Sequence, residues 1–299
     1  MKYLGVIIDT HWRFSEHFNN AAVRAERFLS ALNALMPNFR GPSSAKRMLY
    51  ASVIHSVLLY AAPVWAKNQI FTNRNIRLVL RVQRRVAIIS AYCTVSYIAA
   101  TLLARIPPFR FIAENRLYVF NTIRQIERRN NCKISNGARA AIKDKGNEIM
   151  LNMWKAHIEG LGPGDPAQRV RAMIFPHFTE WMTRGFGNLT YRMTQLLTGH
   201  GCFSVYLKRI GRYYSDGCKH CERDRDDASH TLSDCDAWSF WRDDLALIVG
   251  NTLRNDTLVP ILLSGEENWG VVSSFSEEIM CIKEDAERRK QLAVEDPTG

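Results

Sequence analysis

The sequence holds no uninterrupted apolar run near the roughly 18–20 residues needed to cross a bilayer. Its richest stretch, from Val53 to Ala66, is interrupted by His55, Ser56 and Pro63 and reads as a buried helix. An export signal is missing as well, because Met1-Lys2 leads straight into a short strand-like run closed by Asp9. The expected location is therefore nuclear or cytoplasmic, neither secreted nor in a membrane. In such a reducing compartment the seven cysteines are thiols or metal ligands rather than disulfides. The common catalytic signatures are absent too: no Gly-x4-Gly-Lys-Ser/Thr loop, no Gly-x-Ser-x-Gly elbow and no His-Glu-x-x-His pair. Asp226-Asp227 and Asp243-Asp244 are adjacent pairs whose side chains point apart, a poor Mg²⁺ clamp. No small-molecule substrate is implied.

Acidic residues are scarce over two-thirds of the chain. Residues 1–215 hold 10 Asp and Glu against 31 Lys and Arg, whereas residues 216–299 hold 19 against 9, which together give the net charge of +11. A surplus of that size in the first part suits a polyanionic partner, because neutralising phosphates releases counterions. The acidic last part reads as a solvated surface.

What is present is mostly helical. Tyr3 to Asp9 reads as a strand or hairpin end, and Trp12 to Phe14 as a second short strand. Phe18, Ala21, Ala25, Phe28, Leu32 and Leu35 then recur at helical spacing behind Ser15 and Glu16. After the Pro37 and Gly41-Pro42 breaks, a helix apolar nearly all round runs until Pro63 and is expected to be the buried hub. In the helix from Arg74 to Ser90, Arg74, Arg77, Arg81, Arg84 and Arg85 share one sector, while Val79, Val82, Val86 and Ile89 share another. The valine face would pack, leaving a ladder of guanidiniums for phosphates. A further helix follows Pro107-Pro108, the stretch from Asn130 to Pro166 shows little pattern, and Gly160 to Pro166 is a turn or linker.

Cys218, Cys221, His230 and Cys235 form Cys-x2-Cys-x8-His-x4-Cys. Two thiols on a tight turn helped by Gly217 can grip one cation, and a His-Cys pair completes a tetrahedron. Three thiolates and an imidazole with no open position are a structural Zn²⁺ set. His220 competes for the imidazole position, but a chelate through it would be strained, so His230 is favoured.

These residues, with the ordered runs Tyr3-Leu4-Gly5-Val6, Arg40-Gly41-Pro42, Leu59 to Trp65, Val82-Gln83-Arg84-Arg85, Ala91 to Ser96, Ile106-Pro107-Pro108 and Thr194 to Gly201, carry a family resemblance. The chain resembles the C-terminal part of the reverse transcriptase protein of insect type-1 non-LTR retrotransposons. It departs at Cys93, where the family often has arginine, and at Arg105, where it often has glycine. The resemblance implies a mostly α architecture in five parts. Residues 1–15 are a palm-end, primer-grip hairpin remnant with Tyr3, Leu4 and Gly5 at the grip. Residues 16–160 are a helical thumb-like nucleic-acid-binding domain, 161–215 a linker region, 216–245 a zinc knuckle and 246–299 an acidic tail. RNA, DNA or their hybrid and a missing upstream polymerase palm are the implied partners. No Tyr/Phe-Ala-Asp-Asp run occurs, so the isolated chain is expected not to be an enzyme, although its parent resembles an RNA-directed DNA polymerase acting in target-primed reverse transcription. Met1 is expected to be an internal methionine, and without a palm the hairpin and thumb are expected to expose apolar surface. The alternative is a non-catalytic, zinc-stabilised interaction module or a transposon relic.

Overall fold

The computed structural model describes residues 1–34, 44–66, 73–88 and 94–295. Leu35, Pro37, Arg40-Gly41-Pro42, Ile89 and Ala91-Tyr92-Cys93 lie outside the described residues. The architecture is mostly α. A two-stranded sheet, β1 (Lys2–Tyr3) and β2 (Val6–Ile7), precedes α1 (Ser15–Ala34), α2 (Ser44–Leu58), α3 (Ala62–Trp65), α4 (Asn73–Ile88), α5 (Tyr97–Ala104), α6 (Phe109–Asn130) and α7 (Asn136–Glu159). Then come α8 (Gln168–Ile174), α9 (Phe178–Thr183), α10 (Tyr191–Thr198), α11 (Ser204–Arg209), α12 (Ser239–Val249), α13 (Leu258–Leu263) and α14 (Glu266–Glu295). No described helix is long and apolar enough to cross a membrane. The chain forms two compact units: residues 1–37, 45–89 and 104–163, and residues 38–44, 90–103 and 164–299.

In the first unit β1 and β2 pair antiparallel, Lys2 opposite Ile7 and Tyr3 opposite Val6. Leu4 and Gly5 carry the chain round with φ of 43° and 82°, the two positive angles of a tight hairpin turn. The Tyr60 hydroxyl donates to the Leu4 carbonyl at 2.8 Å. A side chain at Gly5 would press on that same tyrosine ring, 3.2 Å away. Trp12 to Phe14 is not a strand. Trp12 and Phe14 have φ of 53° and 55°, and the Asp9 carboxylate accepts from the N–H groups of His11, Arg13 and Phe14, which curls the segment into a turn.

The helix after Ser15 forms, with a shifted buried stripe. Phe18, Ala21, Ala22, Ala25 and Leu29 are buried, whereas Phe28 is exposed. Stepping from Ala25 to Leu29 by four keeps the stripe in line with the helical repeat, which a step of three to Phe28 does not. Phe18 meets Trp65 edge-on at 4.9 Å, and Trp65 stacks on Phe109 at 5.7 Å, making an aromatic centre for this unit. The expected all-round burial of α2 is wrong. It ends at Leu58, ahead of Pro63, and buries Ala51, Ile54, His55 and Leu58 while exposing Met48, Leu49 and Val53. Tyr3, Leu4, Trp12, Tyr60 and Val64 are also exposed large side chains.

Gln83 pins this unit from α4. Its amide is fully buried, donates to the Pro107 carbonyl at 2.8 Å, lies 2.9 Å from His55 Nε2 and accepts from the Phe109 N–H at 2.8 Å. Burial, with the nearby Arg116 charge, lowers His55 to about 4. A histidine depressed below its usual 6.5 binds its proton in the unfolded chain first. Stability is therefore complete above that value and falls as pH drops from there toward about 4. We expect denaturant titrations to lose about 3 kcal/mol across that window through His55. His55→Gln should flatten the loss, and an unchanged acid profile in that variant would disprove the assignment.

The patternless stretch after Asn130 contains the long helix α7. Ser135 caps it, accepting from the Ala138 N–H at 3.2 Å. Only Gly146, Trp154 and Ile158 are buried along it, too few to print an apolar period on the sequence. Gly146 permits the close approach to α6, since a Cβ there would meet Asn115 Oδ1 at 2.3 Å. At Arg105 φ is 56°. That left-handed angle is the one glycine adopts without strain.

In the second unit Trp181 is fully buried and donates its indole N–H to the Leu102 carbonyl at 3.0 Å. The Arg184 guanidinium covers Trp181 at 3.8 Å and Trp269 at 4.9 Å. Residues beyond 245 do more than solvate a surface. Leu253, Leu258, Val259, Ile261, Leu262, Trp269, Val272, Phe275, Ile279 and Met280 are buried. The acidic side chains of α14 bind inward: Glu277 and Glu284 hold Arg192 at 2.9 and 2.8 Å, and Glu287 holds Lys219 at 2.9 Å.

Candidate metal centre and basic helix

The four ligand-type residues arrive from a loop and a single wide turn. Cys218 N–H donates to the Arg223 carbonyl at 2.7 Å, and Glu222 N–H to the Cys218 carbonyl at 3.2 Å, folding the Cys-x2-Cys segment back on itself. Glu222 sits at φ 62°, and the His220 N–H points at the Cys218 sulfur from 3.5 Å. His230 to Asp234 form one π-helical turn that returns Cys235, whose N–H donates to the His230 carbonyl at 2.9 Å.

One potential ligand atom from each of Cys218, Cys221, His230 and Cys235 lies within 4.8 Å of the others. The Cys218 and Cys235 sulfurs are 3.8 Å apart, and Cys221 Sγ is 3.2 Å from His230 Nε2. Two sulfurs about 2.3 Å from a shared tetrahedral centre would be separated by about 3.8 Å, so the cage has the size of a metal site. The group can hold a metal ion, and its donors are those of a borderline-soft cation. The hydrogen bond from Cys235 lowers Cys218 to about 3, against the effect of burial and with help from the His220 N–H. Cys235 is pushed up by that shared hydrogen bond and by burial. Thiolates are the ligating form, so a cation would displace protons from these sulfurs.

His220, the competing imidazole, lies outside this group and tilts against Trp238 at 4.8 Å. Two of the acidic residues among the ligands have structural partners. Asp227 accepts from the His230 N–H at 2.9 Å and from Arg225 at 2.8 Å. Burial raises its carboxyl, and those two donors more than offset it, so the group stays below its usual range. Asp226 is buried and holds the equally buried Lys283 ammonium of α14 at 2.6 Å. Its other oxygen accepts from the Ser204 N–H at 3.0 Å and hydroxyl at 3.3 Å. Nothing local in the sequence pairs Asp226 with a lysine 57 residues later. The only signal was a charged residue among apolar positions of a helix, Ile279, Met280 and Lys283.

In the first unit α4 separates its faces as its period requires. Val79, Val82, Gln83, Val86 and Ala87 are buried, Arg77, Arg81 and Arg85 are exposed and Arg84 is half-buried. The side chain of Arg74 lies outside the described residues. Sequence reasoning missed Glu26 of α1, whose carboxylate lies 3.4 Å from Arg81 and 4.0 Å from Arg85. One carboxylate shared by two guanidiniums neutralises at most one of them, and both arginine side chains stay about half exposed or more, at 65% and 48%. Leu4 and Gly5 form the exposed hairpin turn beside Tyr3, and Tyr60 is the side chain that meets it among the described residues.

No family model matches the chain, and no solved structure matches it. The chain is 24% identical over 280 residues to the "Retrovirus-related Pol polyprotein from type-1 retrotransposable element R1 4" of Nasonia vitripennis, a match covering 92% of this chain and 70% of that protein. It is 25% identical over 293 residues to the "Putative 115 kDa protein in type-1 retrotransposable element R1DM" of Drosophila melanogaster, covering 93% of this chain and only 27% of that one. Over nine-tenths of its length, the chain is thus similar to proteins of type-1 R1 retrotransposable elements.

Proposed function

We propose that the chain is a nucleic-acid-binding C-terminal part of a non-LTR retrotransposon RNA-directed DNA polymerase, whose parent acts in target-primed reverse transcription. The observation that carries this reading is α4, where Arg77, Arg81 and Arg85 stand exposed over a buried valine face. A rigid helix fixed from behind by Val79, Val82 and Gln83 presents guanidiniums at intervals that suit a sugar–phosphate backbone, without reading bases. RNA, DNA or an RNA–DNA hybrid would all satisfy it. Cys218, Cys221, His230 and Cys235 would hold a structural Zn²⁺ that shapes its unit and performs no chemistry. By itself the chain binds rather than polymerises, since it carries no Tyr/Phe-Ala-Asp-Asp run. Primer extension by the purified chain would contradict that statement.

Binding should be steeply salt-dependent. Each phosphate contact contributes a slope of about −0.7 to −0.9 in a log–log plot of affinity against salt. Replacing Arg81 and Arg85 together by glutamine should make the slope about two contacts shallower while leaving sequence preference unchanged. Affinity for an RNA–DNA hybrid that ignores salt, or a slope untouched by the double substitution, would refute the role given to α4. The second reading, a zinc-stabilised interaction module, draws on α12, where Phe240, Leu247 and Ile248 are exposed at 75%, 85% and 54%.

A further inference from the structure

Within the second unit a cavity of about 470 Å³ opens beside the Thr198-Gly199-His200-Gly201 turn. Its polar lining includes Thr94, Ser96, Arg169, His200, Tyr206 and Arg209, and no aspartate or glutamate lines it among the described residues. The His200 ring stacks on Tyr206 at 4.8 Å. Thr94 Oγ1 lies 3.0 Å from His200 Nδ1 and 2.7 Å from the Tyr206 hydroxyl, while Arg209 reaches His200 Nε2 at 3.1 Å. An arginine on Nε2 requires that nitrogen to be the acceptor, so the imidazole is neutral with its proton on Nδ1. Burial and Arg209 both lower His200, in keeping with that tautomer. The guanidinium of Arg209 also lies over the Tyr206 ring, 5.0 Å from its centre.

The second cation, Arg169, is fixed by the Leu196 carbonyl at 3.1 Å and by Ser229 Oγ at 2.7 Å. The Asp227 charge acts on Arg169 from outside the lining, and Arg209 makes its contacts with His200 and Tyr206. A wall with two such cations, hydroxyls and no acid favours an anion. The volume far exceeds a bare phosphate and falls within the roughly 300–1,000 Å³ of pockets that enclose whole small ligands. The aromatic pair and the apolar side chains Val95, Val170 and Ile210 suit a flat ring system attached to that anion.

We propose that this cavity is a nucleotide-binding site, with Arg209 on the phosphate and the nucleoside inside the pocket. The site is separate from α4, although its biological sense rests on the nucleic-acid reading above. The nucleotide can come free or as one unit of a single strand, and the test separates the two. The full-length, metal-loaded chain is titrated calorimetrically with thymidine 5′-monophosphate, with uncharged thymidine, and with an oligothymidylate of about ten nucleotides. Arg209→Gln, whose side chain is solvent-accessible and not part of the core, should weaken the monophosphate about tenfold, the effect of losing one charge-assisted contact. Thymidine should bind at least as weakly as the monophosphate does to that variant. If the oligonucleotide weakens in parallel, the strand is a source; if only the monophosphate responds, the ligand is a free nucleotide. Monophosphate affinity unchanged by Arg209→Gln, equal binding of thymidine, or no binding of the monophosphate overturns the site. The Arg81→Gln, Arg85→Gln double variant is measured alongside. A loss of hybrid binding there with intact monophosphate binding supports both readings, and no loss there rejects α4 alone.

Discussion

Chelation of the proposed Zn²⁺ should unfold the second unit. Structural Zn²⁺ held by cysteine and histidine contributes about 10–16 kcal/mol of apparent binding energy near neutral pH. A domain of this size has about 5–15 kcal/mol of net stability in total, so the metal's share can exceed the whole. The sulfurs of Cys218 and Cys235 are buried 3.8 Å apart. Without a cation, two buried cysteine sulfurs are left facing each other there. A strong chelator should therefore abolish the cooperative thermal transition of that unit, while the aromatic centre at Phe18, Trp65 and Phe109 melts as before. Cys221→Ser should behave like chelated wild type. Cobalt substitution offers a spectroscopic check, since three thiolate ligands give strong sulfur-to-metal charge-transfer absorption. Full retention of the transition after the metal is stripped would remove Zn²⁺ from the account.

The other large effect is expected at Asp226 and Lys283. Both are nearly solvent-free, with side-chain exposures of 4% and 1%. Removing one partner strands a buried charge, which costs about 3–5 kcal/mol. Lys283→Met should therefore destabilise strongly, with Asp226 left facing the Ser204 donors alone. Lys283→Met combined with Asp226→Asn should recover much of that loss, because neither charge then remains and the amide still accepts from Ser204. A double-mutant cycle by urea denaturation reads the coupling directly. Additive losses in the double variant would mean that the pair is not coupled, contrary to its 2.6 Å geometry.

The metal cluster was readable from the chain because all of its ligands lie within one short segment and their spacing is the constraint. The same holds for α4, where a 3.6-residue period divides valines from arginines. Gln83 shows the limit of that kind of reading. It sits in a recognisable run with Val82 and Arg84, yet its partners, His55, Pro107 and Phe109, are set by packing between helices and leave no local period. Likewise α7 was invisible because a helix that buries only Gly146, Trp154 and Ile158 carries no stripe. The hub role expected of α2 failed for the opposite reason: apolar residues all round a helix do not by themselves say which are covered. Met48, Leu49 and Val53 stay exposed. Glu26 tempers the arginine face from another helix altogether, and no pattern within α4 could have announced it.

The Asp226–Lys283 link also bears on the order of events at the ribosome. The lysine is encoded 57 residues after the aspartate. At a synthesis rate of about 5–20 residues per second, several seconds pass before it can emerge. During that interval the metal-binding loop can collect its four ligands, but the carboxylate beneath it lacks its counter-charge. The proposed ion can therefore be taken up before the helix arrives, and a nascent chain stalled between those two steps should be the form most open to proteolysis.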